Sequence, residues 1–206
     1  MNDRLYKKTK KLRMEIKHVV EVGVYSPQSS NVLGFIKDGI KADLFEPDPL
    51  RVEEIMNCFS AKANVSIFPV AIYKENGSIP LYRAGASTFV AELDSSPALI
   101  NDNYKQDQKD MFYAEARVFS EFDDGAIDLL SVDTEGCEWY VIEKMKSRPL
   151  VISIETGWKR YRNPHLDKLK RWMTDNRYKK WYRNGSDTVF IKKEIPTNLF
   201  QRYFNF

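Results

Sequence analysis

The chain has 206 residues, 43% hydrophobic and 30% charged, with a net charge of +3, which suits one sizeable core in one soluble domain. No apolar run approaches the roughly 20 residues of a membrane-spanning helix, and the basic start, MNDRLYKKTKKLRMEIK, lacks the apolar stretch of a secretory signal. Cys58 and Cys137 are the only cysteines and lie too far apart in sequence for metal spacing or a disulfide framework, so a cytoplasmic location and no membrane partner are expected.

The charge is unevenly spread. Residues 1–18 sum to +5 and residues 157–183 to +8, leaving about −10 for the rest. Such runs are ordinarily solvated faces; the functional alternative is attraction to an anionic substrate or to nucleic acid.

Residues 4–17 read as a basic helix, placed ahead of a single domain over 18–206. HVVEVG (18–23) is a short buried strand. Residues 27–37 predict a helix capped by Ser26, with Pro27 at its first position, Val32, Leu33 and Ile36 inward and Gly39 as its stop. ADLFE (42–46) is the second strand. The spacing of Val52, Ile55, Met56 and Phe59 predicts a helix over 49–59. Residues 65–68 are a third strand. Residues 70–83 predict a hairpin turning at Asn76-Gly77, and 84–111 a long irregular stretch of the kind that forms lids. Residues 113–119 alternate as a half-buried strand.

Residues 127–133 are the fourth main strand, followed by a helix over 136–146 and a fifth strand over 150–155. A helix over 166–176 precedes two strands, 178–183 and 187–192, closing around Asn184-Gly185. Alternating strands and helices with continuous apolar strands predict an α/β fold: a mostly parallel sheet covered on both faces, with a C-terminal antiparallel hairpin.

Ligands of such sheets bind beyond the carboxyl ends of the strands. Four strands here end in acids, at Glu21, Glu46, Asp133 and Glu155, which predicts one acidic crevice. Glu46 lies 23 residues after Gly23, a spacing suited to holding ribose hydroxyls. The loop EVGVYSPQS has one glycine, with Tyr25 and Pro27 where a pyrophosphate would crowd, and Glu21 and Asp133 would repel phosphate. An ammonium and a sulfonium suit that crevice better. S-adenosylmethionine carries both, with a ribose and no phosphate, and fits better than NAD.

The segments EVG (21–23), FEPDP (45–49), FPVAIYKENGSIPLY (68–82), GASTF (85–89), IDLLSVDTEGCEWYVIEKM (127–145) and VISIE (151–155) resemble the FkbM-like methyltransferase family in order and spacing. The most specific parts are F-E-P-x-P and D-x-E-G-x-E. The resemblance implies a Rossmann-like, S-adenosylmethionine-dependent methyltransferase with a seven-stranded sheet, commonly acting on hydroxyls of sugars and other small metabolites. Carried over by position, it implies that Glu21, Gly23 and Tyr25 line the methionine end, that Glu46 holds the ribose with Pro47 beside it, and that Val70 and Ala71 sit near the adenine. Asp133 would face the methionine amine or the reacting centre. The sequence departs from the family's first motif, which runs Asp, Gly, Ala, Asn, Gly: Glu21 replaces the Asp, and VYSPQSS follows Gly23.

An oxygen nucleophile wants a general base, and the candidates near the strand ends are Asp133, the best placed of them, Glu135 and His165. Each has a plainer reading: Asp133 on the cofactor's amine, Glu135 as a carboxylate before a helix, His165 as a surface residue. Glu138 reads as structural, and Glu155 either faces substrate or makes a structural ion pair. Arg160 and Arg162, in the loop GWKRYRNP after the fifth strand, are candidates for an anionic acceptor group. Two His and two Cys far apart give no transition-metal site; a hard ion such as Mg²⁺ on Asp133 and Glu135 is an option that nothing in the sequence supports, and no metal is expected. The aromatics Trp158, Tyr161, Trp172, Tyr178, Trp181 and Tyr182, interleaved with the basic stretch, read either as core or as a stacking surface for sugar or bases. A small-molecule or glycan acceptor is therefore expected, with a nucleic-acid-modifying enzyme or a non-catalytic module as alternatives. The oligomeric state is left open.

Overall fold

The computed structural model describes residues 4–85 and 87–197; the last part of the expected domain, 198–206, and residues 1–3 lie outside the described residues. In chain order, α1 (Arg4–Lys11), β1 (His18–Val22), α2 (Leu33–Lys37), β2 (Lys41–Phe45), α3 (Pro49–Phe59) and β3 (Val65–Phe68) make the first half of a sheet. A separate unit follows: β4 (Ala71–Ile72), β5 (Gly77–Ala84), β6 (Ser87–Val90), α4 (Pro97–Asn101) and β7 (Met111–Arg117). The sheet then resumes with β8 (Leu129–Val132), α5 (Glu138–Lys144) and β9 (Val151–Glu155). A small hairpin, β10 (Gly157–Trp158) and β11 (Tyr161–Arg162), leads to α6 (Leu166–Asp175), β12 (Tyr178–Asn184) and β13 (Asp187–Lys192).

The main sheet has seven strands in the order β12-β13-β9-β8-β1-β2-β3. Strands β3, β2, β1, β8 and β9 run parallel, and β13 enters antiparallel against β9. Every residue of β1, β8 and β9 is buried, as a sheet covered on both faces requires. Alternate side chains feed two cores. Val19, Leu44, Leu129 and Val151 meet α1, α2 and α3 on one face. Val20, Phe45, Leu130 and Ile152 meet α5 and α6 on the other. Each of these side chains contributes about 1.5–3 kcal/mol by leaving water.

Several local expectations are corrected. The first helix ends at Lys11, not at residue 17, because Arg13 takes a left-handed conformation (φ 49°) and turns the chain toward β1. Leu5, Leu12 and Ile16 are buried in the main core, so this segment packs with the domain. Ser26 and Pro27 start no helix. The buried Glu21 carboxylate accepts the Ser30 hydroxyl at 2.5 Å and the Asn31 N–H at 2.7 Å, which holds 26–31 in turns and delays α2 to Leu33. Met56, expected inward on α3, is 41% exposed, while Val52, Ile55 and Phe59 are buried.

Residues 70–83 are not a hairpin. Both β4 and β5 pair with β7, in the four-stranded order β4-β7-β5-β6. Asn76 forms no tight turn because its side chain is committed elsewhere: Oδ1 accepts the Val118 N–H at 2.8 Å and Nδ2 donates to Glu121. Nor is 84–111 structureless. It contains β6, with Phe89 fully buried, a helix α4 capped by Ser96, and a 3-10 turn over 108–110 capped by Asp107. Several contacts fasten this second sheet to the main body, including Cys137 buried among Tyr73, Leu81 and Val90. Arg83 Nε donates to Asp48 Oδ2 at 2.7 Å, and Tyr73 packs edge-on against Tyr140 at 4.9 Å.

Candidate active site

The carboxyl ends of β1, β2 and β8 open into a cavity of about 480 Å³, and the second sheet forms its opposite wall through Leu81, Thr88 and Val90. Its floor begins at Gly23. The Gly23 N–H donates to Phe45 O and the Asp133 N–H to Val22 O, both at 2.9 Å, so three strand ends are drawn together. At φ +85° a Cβ on Gly23 would stand 1.8 Å from the Asp133 carbonyl oxygen. Glycine is required here by backbone approach and by its dihedral.

Beyond Gly23 the chain turns through Tyr25, itself left-handed at φ 55°. Its N–H donates to Glu46 Oε2 at 2.9 Å, and the Asp48 N–H donates to Glu46 Oε1 at 3.0 Å. Glu46 is thereby fixed at the tip of β2, 4% exposed, with burial pushing its pKa up. The Tyr25 ring lies under the Arg51 guanidinium at 4.3 Å. Burial pushes the Glu21 carboxyl up to about 7, against the pull of its bonds from Ser30 and Asn31.

The turn after β8 supplies the rest. Glu135 (φ 57°) and Gly136 (φ 118°) bend the chain so that Glu138 opens α5. Glu138 is fully buried; its Oε1 accepts the Thr134 N–H at 2.9 Å and the Gly136 N–H at 3.2 Å, and its Oε2 accepts the Asn163 amide. The final Glu of D-x-E-G-x-E thus pins the turn that carries the first two acids. Asp133 is half-buried as a residue, but its Oδ1 is sealed from solvent and has no hydrogen-bond partner, like Glu135 Oε2, Glu155 Oε2 and Asp187 Oδ1.

Among the described residues, no Lys, Arg or His forms an ion pair with Glu21, Glu46, Asp133, Glu135, Glu138, Glu155 or Asp187. Burial and the neighbouring acids push Asp133 well above the usual carboxylate range and Glu155 to about 10. Glu135 rises to about 8, chiefly through burial and against a hydrogen bond from Ser87. Unpaired buried carboxylates of one sign favour a cationic guest or retained protons.

The cavity is lined by Glu21, Gly23, Tyr25, Glu46, Pro47, Val70, Ala71, Asp133 and Glu135, all singled out from the sequence. His165, Arg160 and Arg162 are not among its lining residues. His165 precedes α6 with its ring 5.5 Å from Tyr140, and burial with the Lys168 charge holds its pKa down. Arg160 and Arg162 are exposed on the β10–β11 hairpin, and Arg162 pairs with Asp167 at 3.1 Å. Sequence reasoning missed Asp187, 6% exposed, which also lines the cavity and which burial raises to about 6. Its signal was topological: an antiparallel strand begins where its parallel neighbours end, so the residue after the Asn184-Gly185 turn faces the crevice. Thr88 and Leu81 were hidden in the misread 70–111 stretch.

Among the described residues no helix is long and apolar enough to cross a membrane. The family profile described as "Methyltransferase FkbM domain" matches residues 21–180. No curated protein matches the sequence significantly. Among solved structures, the spermidine synthase of Thermotoga maritima is similar over 100% of this chain at 14% identity and a TM-score of 0.52; the chain spans 65% of that protein. A proposed caffeoyl-CoA O-methyltransferase from Staphylococcus aureus is similar over 92% of this chain and 81% of its own, at 11% identity and a TM-score of 0.51. At such identities the likeness establishes the fold, a Rossmann-like methyltransferase architecture.

Proposed function

Because the chain belongs to the FkbM methyltransferase-domain family, whose cofactor is S-adenosylmethionine, we propose that it transfers a methyl group to a hydroxyl oxygen of a sugar or other small metabolite. The observation that carries this reading is the convergence of Glu21, Glu46 and Asp133 on one cavity without a paired cation. When bound, the cofactor supplies a methyl group on a positively charged sulfur.

The chain's own residues supply place and orientation, which contribute roughly 7–11 kcal/mol in well-aligned displacements. Glu46, fixed by two backbone amides, accepts the ribose hydroxyls, with Pro47 alongside. Glu21, Gly23 and Tyr25 border the methionine end, and Val70 and Ala71 the adenine. Asp133 faces the methionine amine or the reacting centre. Glu135 is the best-placed candidate base. Its Oε2 is unpartnered and its carboxyl titrates near 8, close to the range in which a base both deprotonates and accepts well. Its role would be to take the acceptor's O–H proton. His165, Arg160 and Arg162 lie outside the cavity lining, which removes them from the transfer step in this reading. The aromatics of the basic stretch are largely spent on packing, as in the stacked Trp172–Tyr178 pair at 5.8 Å, so the nucleic-acid alternative loses most of its stacking surface.

Calorimetric titration with S-adenosylhomocysteine tests the cofactor reading, and absence of binding at millimolar ligand overturns it. Glu46→Ala is expected to weaken that binding by about 1–3 kcal/mol, and unchanged affinity rejects the ribose role. Radiolabelled methyl transfer to a panel of sugars and small hydroxyl compounds tests the acceptor class; transfer only to amines or to RNA would replace it.

A further inference from the structure

We infer that Asp133, Glu138 and Glu155 form a seat for a hard divalent cation beside the cavity, which Asp133 alone of the three lines. One carboxylate oxygen from each lies within 4.8 Å of the others. Two oxygens that ligate one such ion at about 2.1–2.4 Å stand no more than about 4.8 Å apart, so each pair of the three is close enough to share an ion. The set is oxygen-only, which selects Mg²⁺, Mn²⁺ or Ca²⁺ over softer metals.

A second observation points the same way. Tyr161 is 3% exposed, yet its hydroxyl has no hydrogen-bond partner. That oxygen lies 3.7 Å from the position a Cβ would take on Gly136, in the turn between Asp133 and Glu138. Glu155, 4% exposed, likewise leaves Oε2 unpartnered. A buried polar group without a partner is costly, and Asp133, Glu155 and Tyr161 each carry one. An ion with its water ligands would satisfy them together.

The surroundings are also those of a held ligand set. Glu138 is oriented by the backbone amides of Thr134 and Gly136. The Asn163 amide donates to the Glu138 carboxylate and, at 3.2 Å, to the backbone carbonyl of Glu155, which ties the Glu138 side chain to the strand that carries Glu155. Such outer hydrogen bonds fix carboxylate orientation around a metal. The seat stands on these oxygens alone and does not depend on methyl transfer.

Titration of the full chain with Mn²⁺, followed by electron paramagnetic resonance, is expected to reveal one saturable site competed by Mg²⁺ or Ca²⁺. Glu155→Gln and Asp133→Asn are each expected to weaken it at least about tenfold, while Glu75→Gln, on the exposed surface, leaves it unchanged. Absence of saturable binding to the wild type overturns the inference, as does binding insensitive to both amide variants. Should one variant fail to fold, the wild-type titration and the other variant still decide. S-adenosylhomocysteine binding measured in the same proteins reports the methyltransferase reading separately.

Discussion

Five carboxylates around the strand ends, Glu21, Glu46, Glu138, Glu155 and Asp187, are between 0% and 6% exposed, whereas Lys159, Arg160 and Arg162 on the adjoining hairpin stand in solvent. The two regions are opposite in sign, and they differ in hydration. The basic side chains lie over aromatic faces or pair with surface acids: Lys168 over Trp139 at 5.6 Å, Arg148 over Trp172 at 5.1 Å, Arg162 beside Asp167. Each keeps its water and contributes little. The acids have lost their water and gained no cation, so their electrostatic demand is unmet within the chain. Desolvated charge locates the site; the larger basic surplus in the sequence does not.

That contrast can be broken most severely at the seam beneath the acids. Gly23→Ala drives a Cβ into the Asp133 carbonyl at a dihedral that L residues rarely adopt. It is expected to cost about 3 kcal/mol or more in denaturant unfolding, and a loss under about 1 kcal/mol would mean the strand ends are looser than described. Next in size is the pH response of the acids themselves. Glu21 titrates near 7 in the fold and near 4.5 when unfolded. Between those values the folded chain holds the extra proton, so stability falls as pH rises through that window and the loss is complete above about 7. Glu21→Gln retains a carbonyl for the Asn31 N–H and cannot ionise. Its unfolding free energy should gain roughly 3 kcal/mol on the wild type between pH 4.5 and 8; parallel urea curves at the two ends of that range would show Glu21 to be hydrated. The smallest effect belongs to the basic side. Arg162→Ala, in a solvent-facing pair, should change stability by no more than about 0.5 kcal/mol and leave S-adenosylhomocysteine affinity untouched. A tenfold loss of that affinity would reverse the contrast drawn between the two charged regions.

The main sheet was readable because its strands are continuous apolar runs, a pattern that burial on two faces imposes. The acids were readable for a related reason: a carboxylate directly after such a run can only sit at the sheet's end. What stayed hidden depended on partners distant in sequence. Asn76-Gly77 has the composition of a tight turn, but Asn76 serves Val118 and Glu121, more than forty residues away. Ser26 and Pro27 resemble a helix start, but Glu21 claims the amide and hydroxyl of the following turn. Arg160 and Arg162 follow a strand end as expected, yet the β10–β11 hairpin carries them outward. Local composition proposes a turn or a cap, and a buried acid or amide elsewhere decides whether it forms.

The opposite wall of the cavity comes from one uninterrupted stretch between β3 and β8, tied down by Arg83 on Asp48 and Tyr73 on Tyr140. The strand-end acids and this wall therefore come from different pieces of chain, although Val70 and Ala71 of the same stretch also line the cavity. A chimera that exchanges this stretch between two relatives would import a new cavity wall as a cassette, provided both parents share the contacts that hold it.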